Sequence, residues 1–135
     1  MSMLFYAKLY LATVPVFFFI DLFWLGFVAK GFYRKHLDFI LSPRVNWTAA
    51  IVFYLIFIAG ILLFAVIPAL ERSSLGRAVL MGGLFGFFTY ATYDLTNLAT
   101  IKDWPLAVVI VDILWGIALC SLVAAASFVI ANWLK

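Results

Sequence analysis

The chain has 135 residues, enough for one compact domain, and 68% of them are hydrophobic, including 15 Phe and 5 Trp. Soluble domains are roughly 45–50% apolar. Nine Lys plus Arg, six Asp plus Glu and one His are too few to cover a water-facing surface. The formal charge of +3 is dispersed in pairs and forms no dense basic face. It therefore fits basic side chains at lipid headgroups and argues against a nucleic-acid partner. The expected fold class is all-α: a polytopic integral membrane protein, a compact four-helix bundle forming a single transmembrane domain over residues 1–135.

The first predicted span runs from about Leu4 to Val28, and the second from about Trp47 to Ala69. Each approaches the roughly 20 residues needed to cross the hydrocarbon layer. A third is expected over 78–98 and a fourth over 104–133. Backbone in lipid must satisfy its own hydrogen bonds, so these are helices, and the first, which carries Pro15 and Asp21, is read as a retained span. Short connections make successive helices antiparallel neighbours. The longest connection, 29–46, is rich in basic residues and contains Ser42–Pro43; a short interfacial helix fits within it. Ser74 is expected to cap the third span and Asp103 the fourth, with Pro105 tolerated in the first turn and Trp104 placed as an interfacial aromatic. The side holding Lys30, Arg34, Lys35, Arg44 and Lys102 is slightly more basic than the side holding Lys8, Arg72, Arg77 and Lys135. The positive-inside rule thus favours a cytoplasmic first loop.

Three acids fall inside these apolar segments. Asp21 in FFFIDLFWLG lies seven residues from the end of its span, about 10 Å at the helical rise. Asp112 in VIVDILWG lies about 12 Å from the same membrane side, and Asp94 about 6 Å. An Asp at mid-helix costs roughly 2.5–3.5 kcal/mol by insertion scales, so the three are expected to face the bundle interior or a wetted vestibule. The spacing Asp21–Trp24 recurs at Asp112–Trp115, which puts each indole on the face of its own aspartate, where its N–H could donate. In YATYDLTNLAT, Tyr90, Tyr93, Asp94 and Asn97 form one wide polar face. Gly82, Gly86, Tyr90 and Asp94 recur every fourth residue, as do Asp112, Gly116, Cys120 and Ala124, and the small members permit close helix approach. Arg34, Lys35 and His36 are expected at a vestibule mouth or on lipid headgroups. Cys120 is the only cysteine and His36 the only histidine, so no metal centre and no cofactor are expected.

Taken together, IDLFWLGFVAKGFYRKHL (Ile20–Leu37), Asn46–Trp47, YATYDLTNLAT and WPLAVVIVDILWG (Trp104–Gly116) resemble the DUF2177 family of predicted four-span bacterial membrane proteins. The resemblance covers nearly the whole chain and implies a bacterial inner membrane; it implies no reaction, ligand or cofactor. On the residues themselves, the leading expectation is a binding or transport protein. Its ligand or proton site would comprise Asp21, Trp24, Tyr93, Asp94, Asn97, Asp112 and Trp115, and would take a proton, a cation or a small amphipathic solute. One alternative is an intramembrane enzyme on a lipid-like substrate, with an Asp as general acid or base; no HExxH, GxSxG, phosphate-loop or dinucleotide motif supports it. The other is a structural or assembly subunit, in which the polar residues are interhelical glue. Membrane lipids and a homodimer or membrane-protein partner are the expected contacts.

Overall fold

A computed structural model describes residues 1–135 as five helices with no strand. We denote them α1 (Met3–Val28), α2 (Lys30–Leu37), α3 (Trp47–Glu71), α4 (Leu75–Thr100) and α5 (Leu106–Leu134). Three of these, α1, α3 and α5, are long and apolar enough to cross a membrane. The other long helix, α4, has 26 residues, but its glycines, threonines, tyrosines and Asp94 dilute its apolar character.

Local chemistry accounts for most boundaries. Ser2, Asn46 and Ser74 each accept a backbone N–H from three residues on, at 3.1 Å, and so start α1, α3 and α4. Asp103 does not cap α5: its φ is 62°, and the residue before the helix is Pro105 with no side-chain cap. The tight turn requires one left-handed residue, a conformation that Asp tolerates better than most. Two helices contain a widened π turn. In α3 it occupies Leu62–Val66, next to Pro68, whose ring lacks an N–H and clashes with the carbonyl four residues earlier. In α1 it is the last turn, Trp24–Val28, closed by Ala29 N–H donating to the Trp24 carbonyl at 2.7 Å.

The most extensive pairing is between α4 and α5, and α5 also packs on α1 and α3. The expected small-residue rows are where α4 and α5 meet. A Cβ on Gly86 would strike the Gly116 carbonyl, one on Gly82 would lie 2.6 Å from the Cys120 carbonyl, and one on Gly116 would enter the Tyr90 ring. The main core sits toward the chain termini and includes Leu9, Phe17, Ile58, Ile61, Val66, Leu119 and Val123, all essentially inaccessible. Within it the buried Thr13 and Ser127 hydroxyls pair at 2.8 Å, tying α1 to α5. A smaller cluster of Leu37, Trp104, Val108 and Val109 seats α2 on the start of α5. Trp104 is therefore a buried packing residue and not an exposed interfacial aromatic. The outer faces of the long helices are apolar and exposed, with Phe19 at 76%, Ile56 at 67% and Phe88 at 63%, as a lipid-facing surface requires.

Candidate functional site

Asp21, Asp94 and Asp112, carried by α1, α4 and α5, line one cavity of about 540 Å³ between the helices, together with residues of α2 and α3. The volume lies within the roughly 300–1,000 Å³ typical of small-molecule sites. Twelve of the 16 lining residues are hydrophobic, and none is Lys, Arg or His. The carboxyls therefore face one another and aromatic walls with no basic side chain among them. They do not gather into a group that could hold a metal ion.

The two Asp–Trp pairs are bonded crosswise. Trp115 does not donate to Asp112 on its own helix; its Nε1–H donates to Asp21 Oδ1 at 3.1 Å. Trp24 likewise bypasses Asp21, donating at 3.2 Å to the Tyr33 hydroxyl, which donates in turn to Asp112 Oδ1 at 2.8 Å. Between these bonds the indoles of Trp24 and Trp115 stack, with centroids 4.5 Å apart and planes 5° from parallel. The cause is helix polarity. Because α1 and α5 run antiparallel, three residues forward on one helix match three residues back on the other. A shared three-residue spacing thus sets each aspartate level with the opposite tryptophan. One turn separates Asp21 and Asp112 along the bundle, about 5 Å.

Tyr33 and Tyr54 complete this arrangement, and neither was among the expected site residues. Tyr54 donates to Asp21 Oδ2 at 3.1 Å, so both oxygens of the buried Asp21 are satisfied from two other helices. It is the one side chain with a polar group in the apolar run Ala49–Ala69, and that isolation was the available signal. Tyr33 stands one turn before Leu37 on the inner face of α2, opposite the exposed Arg34 and Lys35. Burial, and then the neighbouring Asp112 carboxyl, push the Tyr33 phenol above its ordinary pKa, so it remains a neutral donor.

Asp94 differs from the other two acids. It is fully buried, it lies within hydrogen-bond reach of the Asp112 carboxyl, and neither of its oxygens meets an N–H or hydroxyl donor; a bond between the two carboxyls requires a proton held by one of them. The indole N–H of Trp104, another lining residue, is also buried and unpartnered. These are the three buried side-chain polar atoms of the protein left without a partner. Tyr93 lines the cavity while 57% exposed, and its ring meets that of Trp104 edge-on at 6.2 Å.

Of the remaining expected residues, Asn97 is half-buried beside the Tyr93 hydroxyl and is not part of the cavity lining. One helical turn beyond Tyr93 carries it past the cavity. Arg34, Lys35 and His36 lie on α2 but do not line the cavity either. Arg34 and Lys35 are exposed, and His36 Nδ1 sits 2.9 Å from the Phe32 carbonyl with its ring against Phe32. The inner face of α2 is supplied instead by Tyr33 and Leu37.

No curated protein and no solved structure matches the chain. The family model described as "Predicted membrane protein (DUF2177)" matches residues 6–129, and that match runs from the first turns of α1 through the cavity-forming segments into the last turns of α5. The chain belongs to the DUF2177 family of membrane proteins.

Proposed function

We propose that the protein is a four-span bundle of the bacterial inner membrane that binds or transports a proton, a cation or a small amphipathic solute in the cavity bounded by Asp21, Asp94 and Asp112. In this reading α4 is the fourth span. Its Thr89, Tyr90 and Asp94 line the cavity, the exposed Thr92 and Thr100 hydroxyls donate to carbonyls of their own helix, and its length of 26 residues exceeds the roughly 20 that a crossing needs. Lipids cover the exposed Phe, Leu and Ile side chains of the outer faces, where a second copy of the chain could also dock.

The observation that carries the proposal is Asp94. A carboxyl used as interhelical glue should be hydrogen-bonded, as Asp21 is, because an unpartnered buried acceptor costs roughly 1–3 kcal/mol. Asp94 has no N–H or hydroxyl partner, only the acidic Asp112 beside it, yet it stands in the wall of the cavity where the other intramembrane acids meet. Unsatisfied buried polar groups of this kind are the features that a ligand or a transferred proton can satisfy.

Flux and binding assays test the reading. Purified protein in proteoliposomes is challenged with a pH gradient, alone and with a panel of cationic, zwitterionic, neutral and anionic solutes, beside Asp21→Asn, Asp94→Asn and Asp112→Asn. A proton or solute response that folded variants lose supports the proposal. If every response is absent, or is unchanged in all three folded variants, the acids are not a binding site.

A further inference from the structure

Resting on the reading of this cavity as a ligand site, we infer that its ligand class is an amphipathic protonated amine, with an ammonium head bearing N–H donors at Asp94 and Asp112 and an apolar or aromatic body along the tryptophan walls. Charge supports the head. The lining contains three carboxyls and no basic side chain, so any carboxylate charge there that a proton does not remove can be compensated only by a cation brought in. Hydrogen bonding narrows it further. Asp21 is satisfied by Tyr54 and Trp115, and Asp112 accepts from Tyr33, whereas both Asp94 oxygens are buried in the cavity wall with no N–H or hydroxyl donor. A primary ammonium presents three N–H donors and no acceptor, which is what a buried carboxyl pair lacks.

Shape and surface exclude simpler cations. A bare divalent ion needs several oxygens drawn together at short range, and these carboxyls do not form such a group. The cavity is much larger than an ion requires, and most of its lining is apolar. The stacked pair Trp24–Trp115 offers a flat wall, and the edge-on pair Tyr93–Trp104 a corner. Aromatic faces attract ammonium groups by roughly 0.5–2 kcal/mol and also cover an attached apolar body. The unpartnered Trp104 N–H, in the same lining, adds a donor for a hydroxyl or ester oxygen near the amine. Such chemistry occurs both in free lipophilic amines and in the ethanolamine headgroup of a phospholipid.

Equilibrium dialysis against protein in phosphatidylcholine nanodiscs, with protein-free nanodiscs subtracted, tests this with three probes sharing one body: 4-phenylbutylammonium, 4-phenylbutanol and 4-phenylbutyrate. The expected result is saturable binding of the ammonium, at least tenfold tighter than either other probe. It should weaken at least tenfold in Asp94→Asn and in Asp112→Asn, with near-ultraviolet circular dichroism of the stacked tryptophans confirming the fold. Repeating the measurement in phosphatidylethanolamine nanodiscs identifies the source: competition there assigns the site to the lipid amine, and undiminished binding assigns it to a free amine. Equal binding of all three probes, or no saturable ammonium binding in phosphatidylcholine, overturns the inference, and the wild-type series decides this even if a variant does not fold. Aspartate-dependent binding of the alcohol or the carboxylate in place of the ammonium would discard the amine while leaving the ligand-site reading intact.

Discussion

Trp24 and Trp115 lie face to face, 4.5 Å between ring centroids and 5° from parallel, each sending its N–H toward the carboxyl of the other's motif, directly in one case and through Tyr33 in the other. The two motifs therefore form a reciprocal clasp between antiparallel helices, and the register of α1 on α5 gives their shared spacing a structural use that needs no internal duplication. Trp115→Phe removes one of the two donors to buried Asp21 and should destabilise the protein by about 1–3 kcal/mol. Trp24→Phe leaves the Tyr33 bond to Asp112 in place and should cost less. The double variant should show a coupling of about 0.5–1.5 kcal/mol from the shared stack. Reversible unfolding in bicelles measures all three; strict additivity would mean that the paired indoles contribute nothing beyond what phenyl rings supply.

Tyr33 is the link between α2 and the clasp. Removing its hydroxyl in Tyr33→Phe strips Asp112 of its tyrosine donor and Trp24 of its acceptor, at a cost of about 1–3 kcal/mol. The loosened helix should then be cut faster by trypsin at Lys30, Arg34 and Lys35, which are exposed on its outer face. Limited proteolysis in nanodiscs reads this out. An unchanged cleavage rate would show that the apolar packing of Leu37 and Phe32 is enough to anchor α2.

Glycine substitutions should separate sharply by position. Gly86→Ala places a methyl against the Gly116 carbonyl, a backbone atom that cannot move aside without parting α4 from α5; overpacking of this kind costs about 1–3 kcal/mol. Gly26→Ala and Gly31→Ala meet nothing within 4 Å and should be neutral or stabilising by up to about 1 kcal/mol. Thermal stability of the purified variants checks the contrast, and a Gly86→Ala as stable as Gly31→Ala would contradict the close approach.

Helix positions were legible because long apolar runs broken by Ser, Asn, Pro and Asp leave little freedom in where a helix begins and ends. The pairing of the glycine rows was legible for a similar reason, since a four-residue repeat of small side chains marks a face that admits another backbone. What the sequence did not disclose was partner choice. The spacing of Asp21 and Trp24 is compatible with a bond along one helix, and only the antiparallel register, a tertiary property, redirects the indole to the other motif. Trp104 misled for a related reason: its place beside a turn suggested an interface, whereas the left-handed Asp103 folds it inward beneath α2. Tyr54 carried a signal in its isolation, and Tyr33 in the two-sided pattern of α2, but neither pattern names the acid that each one reaches.

The assignment of α4 as a span predicts a specific labelling pattern. With Cys120 buried, single exposed cysteines at Ser42→Cys, Arg72→Cys and Lys102→Cys report their sides to a membrane-impermeant maleimide. Four crossings place positions 42 and 102 on one side and 72 on the other. Labelling of 72 and 102 from the same side would show that α4 does not cross.

If Asp94 belongs to a ligand or proton site and is not part of the glue that holds the bundle, the stability of Asp94→Asn should show it. Asn has nearly the same shape, carries no charge, and can donate an amide N–H to the neighbouring Asp112. With neither Asp94 oxygen accepting from an N–H or hydroxyl in the folded protein, the variant should unfold at the same or a higher denaturant level than the wild type, as happens when a strained functional group is relieved. Asp21→Asn, whose carboxylate accepts bonds from Tyr54 and Trp115, should lose about 1–3 kcal/mol. A loss in Asp94→Asn as large as that in Asp21→Asn would make Asp94 a structural residue and remove it from any ligand or proton site.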